Sequence, residues 1–106
     1  MPVVDADEVI GSWVHAHEED DGERIVMRRP DHPFPPSRGR VAITLEPGGR
    51  LGTRHPGPDD RSVAGEGSWS LSGTELAIAG PAMPGEYEIE SVDHHALVLR
   101  PLRKAE

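Results

Sequence analysis

The sequence contains no cysteine, which excludes a disulfide framework, an iron–sulfur cluster and a thiol nucleophile. Its one lysine, Lys104, is poorly placed for covalent catalysis. No apolar run approaches the roughly 20 residues that a membrane-spanning helix needs. The opening Met1-Pro2-Val3-Val4-Asp5-Ala6-Asp7-Glu8 is acidic and lacks the basic and apolar regions of a secretory signal. These absences point to a cytoplasmic protein. Also missing are a phosphate-binding Gly-rich loop, a dinucleotide fingerprint and a Gly-x-Ser-x-Gly nucleophile elbow.

What is present suits one domain spanning 1–106, since 106 residues are too few for two. A chain of this size buries roughly 60–70% of its unfolded surface, so one core is feasible and a large internal cavity is hard to stabilise. The net charge of −8 argues against nucleic acid or an anionic membrane as partner. Acids cluster between Asp5 and Glu23 and arginines between Arg24 and Arg61. The Arg, Gly, Pro and Ala bias suits a GC-rich bacterial genome.

Glycine and proline punctuate the chain at roughly the 8–12-residue rhythm of short strands. The expected fold is all-β: a small antiparallel up-and-down β-barrel of about eight strands, with a short N-terminal helical turn. Asp5–Ile10 carries that turn, with Asp5 as its cap and Glu8 completing a capping box. The strands are expected at Gly11–Glu18, Glu23–Arg29, Arg40–Glu46, Arg50–His55, Gly65–Leu71, Glu75–Ala79, Glu86–Ser91 and Ala96–Leu102. The proline-rich stretch from Pro30 to Pro36 cannot feed a sheet ladder and is read as a loop. Closure would remove two vulnerable edges; an open sandwich of two four-stranded sheets is the alternative. Period-two alternation turns Ile25, Met27, Val41, Ile43, Leu45, Leu51, Thr53, Trp69, Leu71, Leu76, Ile78, Tyr87, Ile89, Leu97 and Leu99 inward.

Gly11-Ser12-Trp13, following the helical turn and opening the first strand, resembles the Gly-x-Trp signature of lipocalin-like (calycin) barrels. The resemblance implies that Trp13 closes one end of the barrel beneath an arginine from a late strand, which by position is Arg100. Gly67-Ser68-Trp69 repeats the tripeptide. The chain is much shorter than a typical lipocalin, which argues against a lipid-sized calyx.

Alternation also turns polar groups inward. Trp13, His15 and His17 share one face of the first strand, and His55 shares a face with Leu51 and Thr53. An inward polar residue needs a partner, a water or a ligand. The expected site is therefore a small apolar or amphipathic ligand held at the barrel mouth by His15, His17, Met27, His55, Trp69 and Tyr87. His15-Ala16-His17 has the spacing of some strand-borne metal sites. However, nothing in the sequence brings His55, Asp59 or Asp60 near as further ligands, so neither metal nor cofactor is expected. His32, His94 and His95 read as solvated turn residues. Ser37-Arg38-Gly39-Arg40 could greet a phosphate or carboxylate, or be a solvated loop. Arg40, Arg50 and Arg54 are expected on one flank and Glu86, Glu88 and Glu90 on the other, an arrangement that could orient a protein partner or head-to-tail self-association. Two other functions stay open. One is a protein-interaction module of the protease-inhibitor-like kind, working through the Pro30–Arg38 loop and the charged flanks. The other is a small barrel enzyme doing acid–base or metal-assisted chemistry with His15, His17 and Tyr87.

Overall fold

The computed structural model describes residues 5–35, 40–56 and 62–102, with the side chains of 55, 56, 62 and 63 outside the description. The short helix α1 (Ala6–Val9) comes first, and the Glu8 carboxylate reaches back to the Asp5 N–H at 3.3 Å. Eight strands follow: β1 (Gly11–His15), β2 (Ile25–Arg28), β3 (Ala42–Glu46), β4 (Arg50–Pro56), β5 (Ser62–Ser72), β6 (Glu75–Ala79), β7 (Gly85–Val92) and β8 (Ala96–Pro101). They close into one antiparallel barrel. Among the described residues no helix is long and apolar enough to cross a membrane.

From β3 to β8 each strand pairs with the next. One step is not a hairpin. β1 pairs with β2 on one side and β3 on the other, and β2 closes the barrel against β8. β2 and β3 therefore run parallel on either side of β1, and the link between them must cross it. That link holds the proline-rich stretch, whose missing N–H groups keep it from competing as a strand.

The core follows the expected alternation except at Val41, which is half-buried before β3 begins and lies outside the cluster. Trp13, Met27, Leu45, Leu76, Leu97 and Leu99 are completely buried, and Ile43, Leu51, Trp69, Ile78, Tyr87 and Ile89 are nearly so. Ile25 and Leu71 are half-buried against them. An internal void large enough for water would leave the side chains around it exposed. The complete burial of six large inward residues means that the middle of the barrel is filled. Val9 of α1 belongs to the same cluster and seals the end where β1 begins.

Three expectations need correction. First, β1 stops at His15 rather than Glu18. The Ala16 N–H bonds to the Val26 carbonyl and His17–Glu19 wind into a 3-10 turn. Second, β2 and β3 are shorter than expected, because Glu23, Arg24 and Arg29 flank β2, and Arg40 precedes β3 as a charge-pairing residue. Third, Arg100 does not stack on Trp13; its Nε donates to Glu90 Oε2 at 2.9 Å, out on the surface. The stacked cation is Arg29, whose guanidinium carbon lies 3.8 Å from the centre of the Trp13 ring. Arg29 continues the inward face of Ile25 and Met27, and its Nε and Nη1 donate to the carbonyls of His94 and Ser12.

Gly11 makes the stack possible. Its φ is +126°, and a Cβ there would lie 2.5 Å from Arg29 Nη1. The Trp13 indole N–H in turn donates to the Val9 carbonyl at 2.9 Å, tying α1 to the floor of the barrel. One bulge interrupts β7: the register shifts between Ile89 and Ser91. This resets the alternation, so that both Ile89 and Val92 pack on the core.

In urea titrations, Arg29→Ala is expected to cost about 1–3 kcal/mol, combining a partly buried cation–π contact with two long hydrogen bonds. Arg100→Ala, which breaks only an exposed pair, is expected to cost under about 1 kcal/mol. The reverse ranking would restore the late-strand arginine. Leu76→Ala is expected to cost about 2–5 kcal/mol as a cavity in a filled core.

Candidate functional site

Of the six residues expected to line a ligand site, the five whose side chains are described are spread between the packed core and the end of β1. Met27, Trp69 and Tyr87 belong to the packed core. Their polar atoms are used internally: the Trp69 indole N–H donates to the Glu46 carbonyl (2.9 Å) and the Tyr87 hydroxyl to the Met83 carbonyl (3.0 Å). Burial pushes the Tyr87 phenol up from its ordinary pKa, away from acid–base work near neutral pH. His15 is inward at the end toward which β1 runs, across from Met27, and is partly exposed. His17 lies outside, in the 3-10 turn, 3.6 Å from Glu18 and with its ring centroid 6.0 Å from that of His15. Loss of the strand after His15 moves His17 into the turn, where its ring still meets that of His15 edge-on. The His55 backbone pairs with Val63 in β4 and β5, while its side chain lies outside the described residues. So do Asp59, Asp60 and the Ser37-Arg38-Gly39 stretch. Among the described residues no three His, Asp or Glu side chains are grouped to hold a metal ion.

The acidic run after β1 is more than a solvated turn. Asp20 accepts from the Val26 N–H at 3.0 Å through Oδ1 and pairs with His15 Nε2 at 2.9 Å through Oδ2. Glu19 takes a bidentate contact from Arg28, 2.9 Å to Nε and 2.6 Å to Nη2. Glu18 takes another from Arg40, 2.8 Å to Nη1, and Arg40 also donates to the carbonyls of His15 and Pro35. Phe34 lies beneath the Arg40 guanidinium at 4.7 Å, and His32 packs edge-on against Phe34. Glu18 through Arg40, and Glu19 through His32 at 3.7 Å, clasp the crossing link to the turn after β1, while Asp20 and the Glu19–Arg28 pair hold that turn to β2. The expected basic flank therefore loses Arg40. The acidic flank is partly neutralised as well, since Glu90 pairs with Arg24 and Arg100.

Two features of the wall stand apart from this network. Thr53, in the row Trp13–Ile43–Thr53–Gly65, is 6% exposed and its Oγ1 has no hydrogen-bond partner. On the outside of β1, β3, β4 and β5 runs a cleft of about 620 Å³, rimmed by Pro30. Its floor is made of small side chains, with the hydroxyls of Ser12 and Thr44 2.9 Å apart. Sequence reasoning missed this cleft, although the middle outward positions of those strands (Ser12, Ala42, Thr44, Gly52, Ala64) are all small. That run of small outward residues was the available signal. Comparison with family models, curated proteins and solved structures gives no match for the chain.

The clasp makes stability pH-dependent. The Arg40 guanidinium holds Glu18 at about 2, far below the ordinary carboxylate value of 4.5. Glu19 is lowered mainly by Arg28, and Glu90 mainly by Arg24. A carboxylate whose pKa is lower in the folded chain stabilises it above the unfolded value and loses that contribution as pH falls. The urea midpoint is therefore expected to be level above about pH 5 and to fall between there and pH 2. Arg40→Ala should flatten part of that fall. An unchanged profile in this variant would mean that the clasp does not act in solution.

Proposed function

We propose that this chain is a non-catalytic interaction module: a small calycin-like barrel with a filled interior that works through its outer surface. A chain without cysteine suits a reducing cytoplasm as its setting. The observation that carries the reading is the complete burial of Trp13, Met27, Leu45, Leu76, Leu97 and Leu99. Ligand carriers of the barrel type hold their cargo where these side chains meet. The likeness to lipocalins rests on Gly11-Ser12-Trp13 and its stacked arginine, here supplied from the end of β2. The described charged groups near the core are engaged in structural pairs, and among the described residues no hydroxyl is bonded to a histidine or carboxylate base beside a second catalytic group, which favours an interaction role over an enzyme.

A second reading, a small apolar or amphipathic ligand inside the barrel, draws on the orphan hydroxyl of Thr53. A buried polar atom without a partner is a place where a ligand or a water can be at home. Thr53→Val separates the two readings. In a filled barrel the methyl replaces an unsatisfied hydroxyl, and the variant is expected to gain about 1 kcal/mol in urea unfolding. A thermal-shift panel of fatty acids, aromatic amphiphiles and small carboxylates should leave the wild type unmoved. A saturable rise in Tm that disappears in Thr53→Val and His15→Ala would reverse the conclusion in favour of ligand binding.

A further inference from the structure

The outer cleft carries an unusual distribution of charge. Glu46 stands directly across the ladder from Arg50, and Gly52 lies between Thr44 on one side and Glu66 on the other. Arg24, Arg28, Arg40 and Arg100 all enter ion pairs. Among the described residues the exposed side chains of Glu46, Arg50, Arg54 and Glu66 enter none. Two unpaired charges of each sign are thus gathered around a floor of small residues. On a chain of net charge −8, this locally neutral patch is where a second negatively charged copy meets little repulsion.

We infer that this face is a two-fold self-association surface, and that its occupant is a second copy of the chain. The inference rests on the interaction reading above and gives that reading a partner. A two-fold contact must be self-complementary, and the ladder register supplies the match. An axis parallel to the strands, above the midline between β3 and β4, lays β3 on the second copy's β4 and the reverse. Glu46 then faces Arg50 of the second copy, Thr44 faces Gly52 and Ser12 faces Glu66, each contact occurring twice. No like charges meet. An axis across the strands would instead set Arg54 against Arg50 and is disfavoured by charge. The small side chains of Ser12, Thr44 and Gly52 allow the two sheets to approach to about the 10 Å of ordinary face-to-face packing.

Sedimentation equilibrium of the full chain tests this, with circular dichroism confirming that each variant is folded. The wild type is expected to dimerise with rising concentration. Arg50→Glu and Glu46→Arg should each weaken the dimer by at least about tenfold, because each sets like charges face to face. An equimolar mixture of the two variants should regain it, since the mixed pair has opposite charges at both contacts. A wild type that stays monomeric at its highest soluble concentration overturns the inference, as does a mixture no more associated than either variant alone. The ligand panel reports on the interior and this measurement on the outer wall, so the two readings fail separately.

Discussion

The Arg29 guanidinium lies on the Trp13 indole, and much of the chain's path follows from accommodating it. The stack needs a residue without a side chain at position 11, where φ is positive and the guanidinium passes. It needs the indole N–H turned toward Val9, which anchors α1 under the barrel. It also needs Arg29 to turn inward just where β2 ends. The chain then leaves β2, crosses β1 and enters β3 on the far side. The departure from simple hairpin order thus begins at the residue that completes the stack. A cation stacked on an aromatic face contributes about 0.5–2 kcal/mol, a sizeable share of the net stability of a domain this small.

A filled interior moves the question of function outward. Two tryptophans, a tyrosine and a methionine occupy the volume that a longer-stranded barrel could leave open, and the polar atoms of the three aromatics bond to main-chain carbonyls. The charged surface divides into two kinds of region. Around the end of β1, carboxylates of the run from Glu18 to Asp20 are matched with a cation or a backbone donor, which fixes the crossing link. On the outer wall of β3–β5, charges of both signs stand unmatched over a floor of small side chains. A surface that satisfies its charges in one place and leaves them open in another suits a module that meets something there.

Much of the barrel is legible in the sequence because its pattern is local. Ile43 and Leu45 alternate with the smaller or polar Ala42, Thr44 and Glu46, and Glu75–Ala79 lies between two turns, so β6 has the bounds expected for it. The Asp5 and Glu8 pair announces α1 in the same way. What could not be read depends on register or on distant partners. Arg29 and Arg100 are both arginines at strand ends, and only the pairing of β2 with β1 and β8 brings the first over Trp13. His17 keeps strand-like spacing from His15, yet Asp20 reaching back to Val26 turns the chain before that spacing can act. The Glu18–Arg40 pair joins residues 22 apart, and the cleft exists only once β1, β3, β4 and β5 are side by side. Local alternation thus identified the residues of the core, while the chemistry of the surface emerged from closure.

Tryptophan fluorescence tests the central claim, a closed and filled interior, most directly, because both indoles of the chain lie inside it. The native protein is expected to emit at short wavelength and to resist quenching by acrylamide, with both properties lost together on unfolding in urea. Native emission close to that of the unfolded chain, quenched almost as readily, would mean that water reaches the indoles and that the barrel is open.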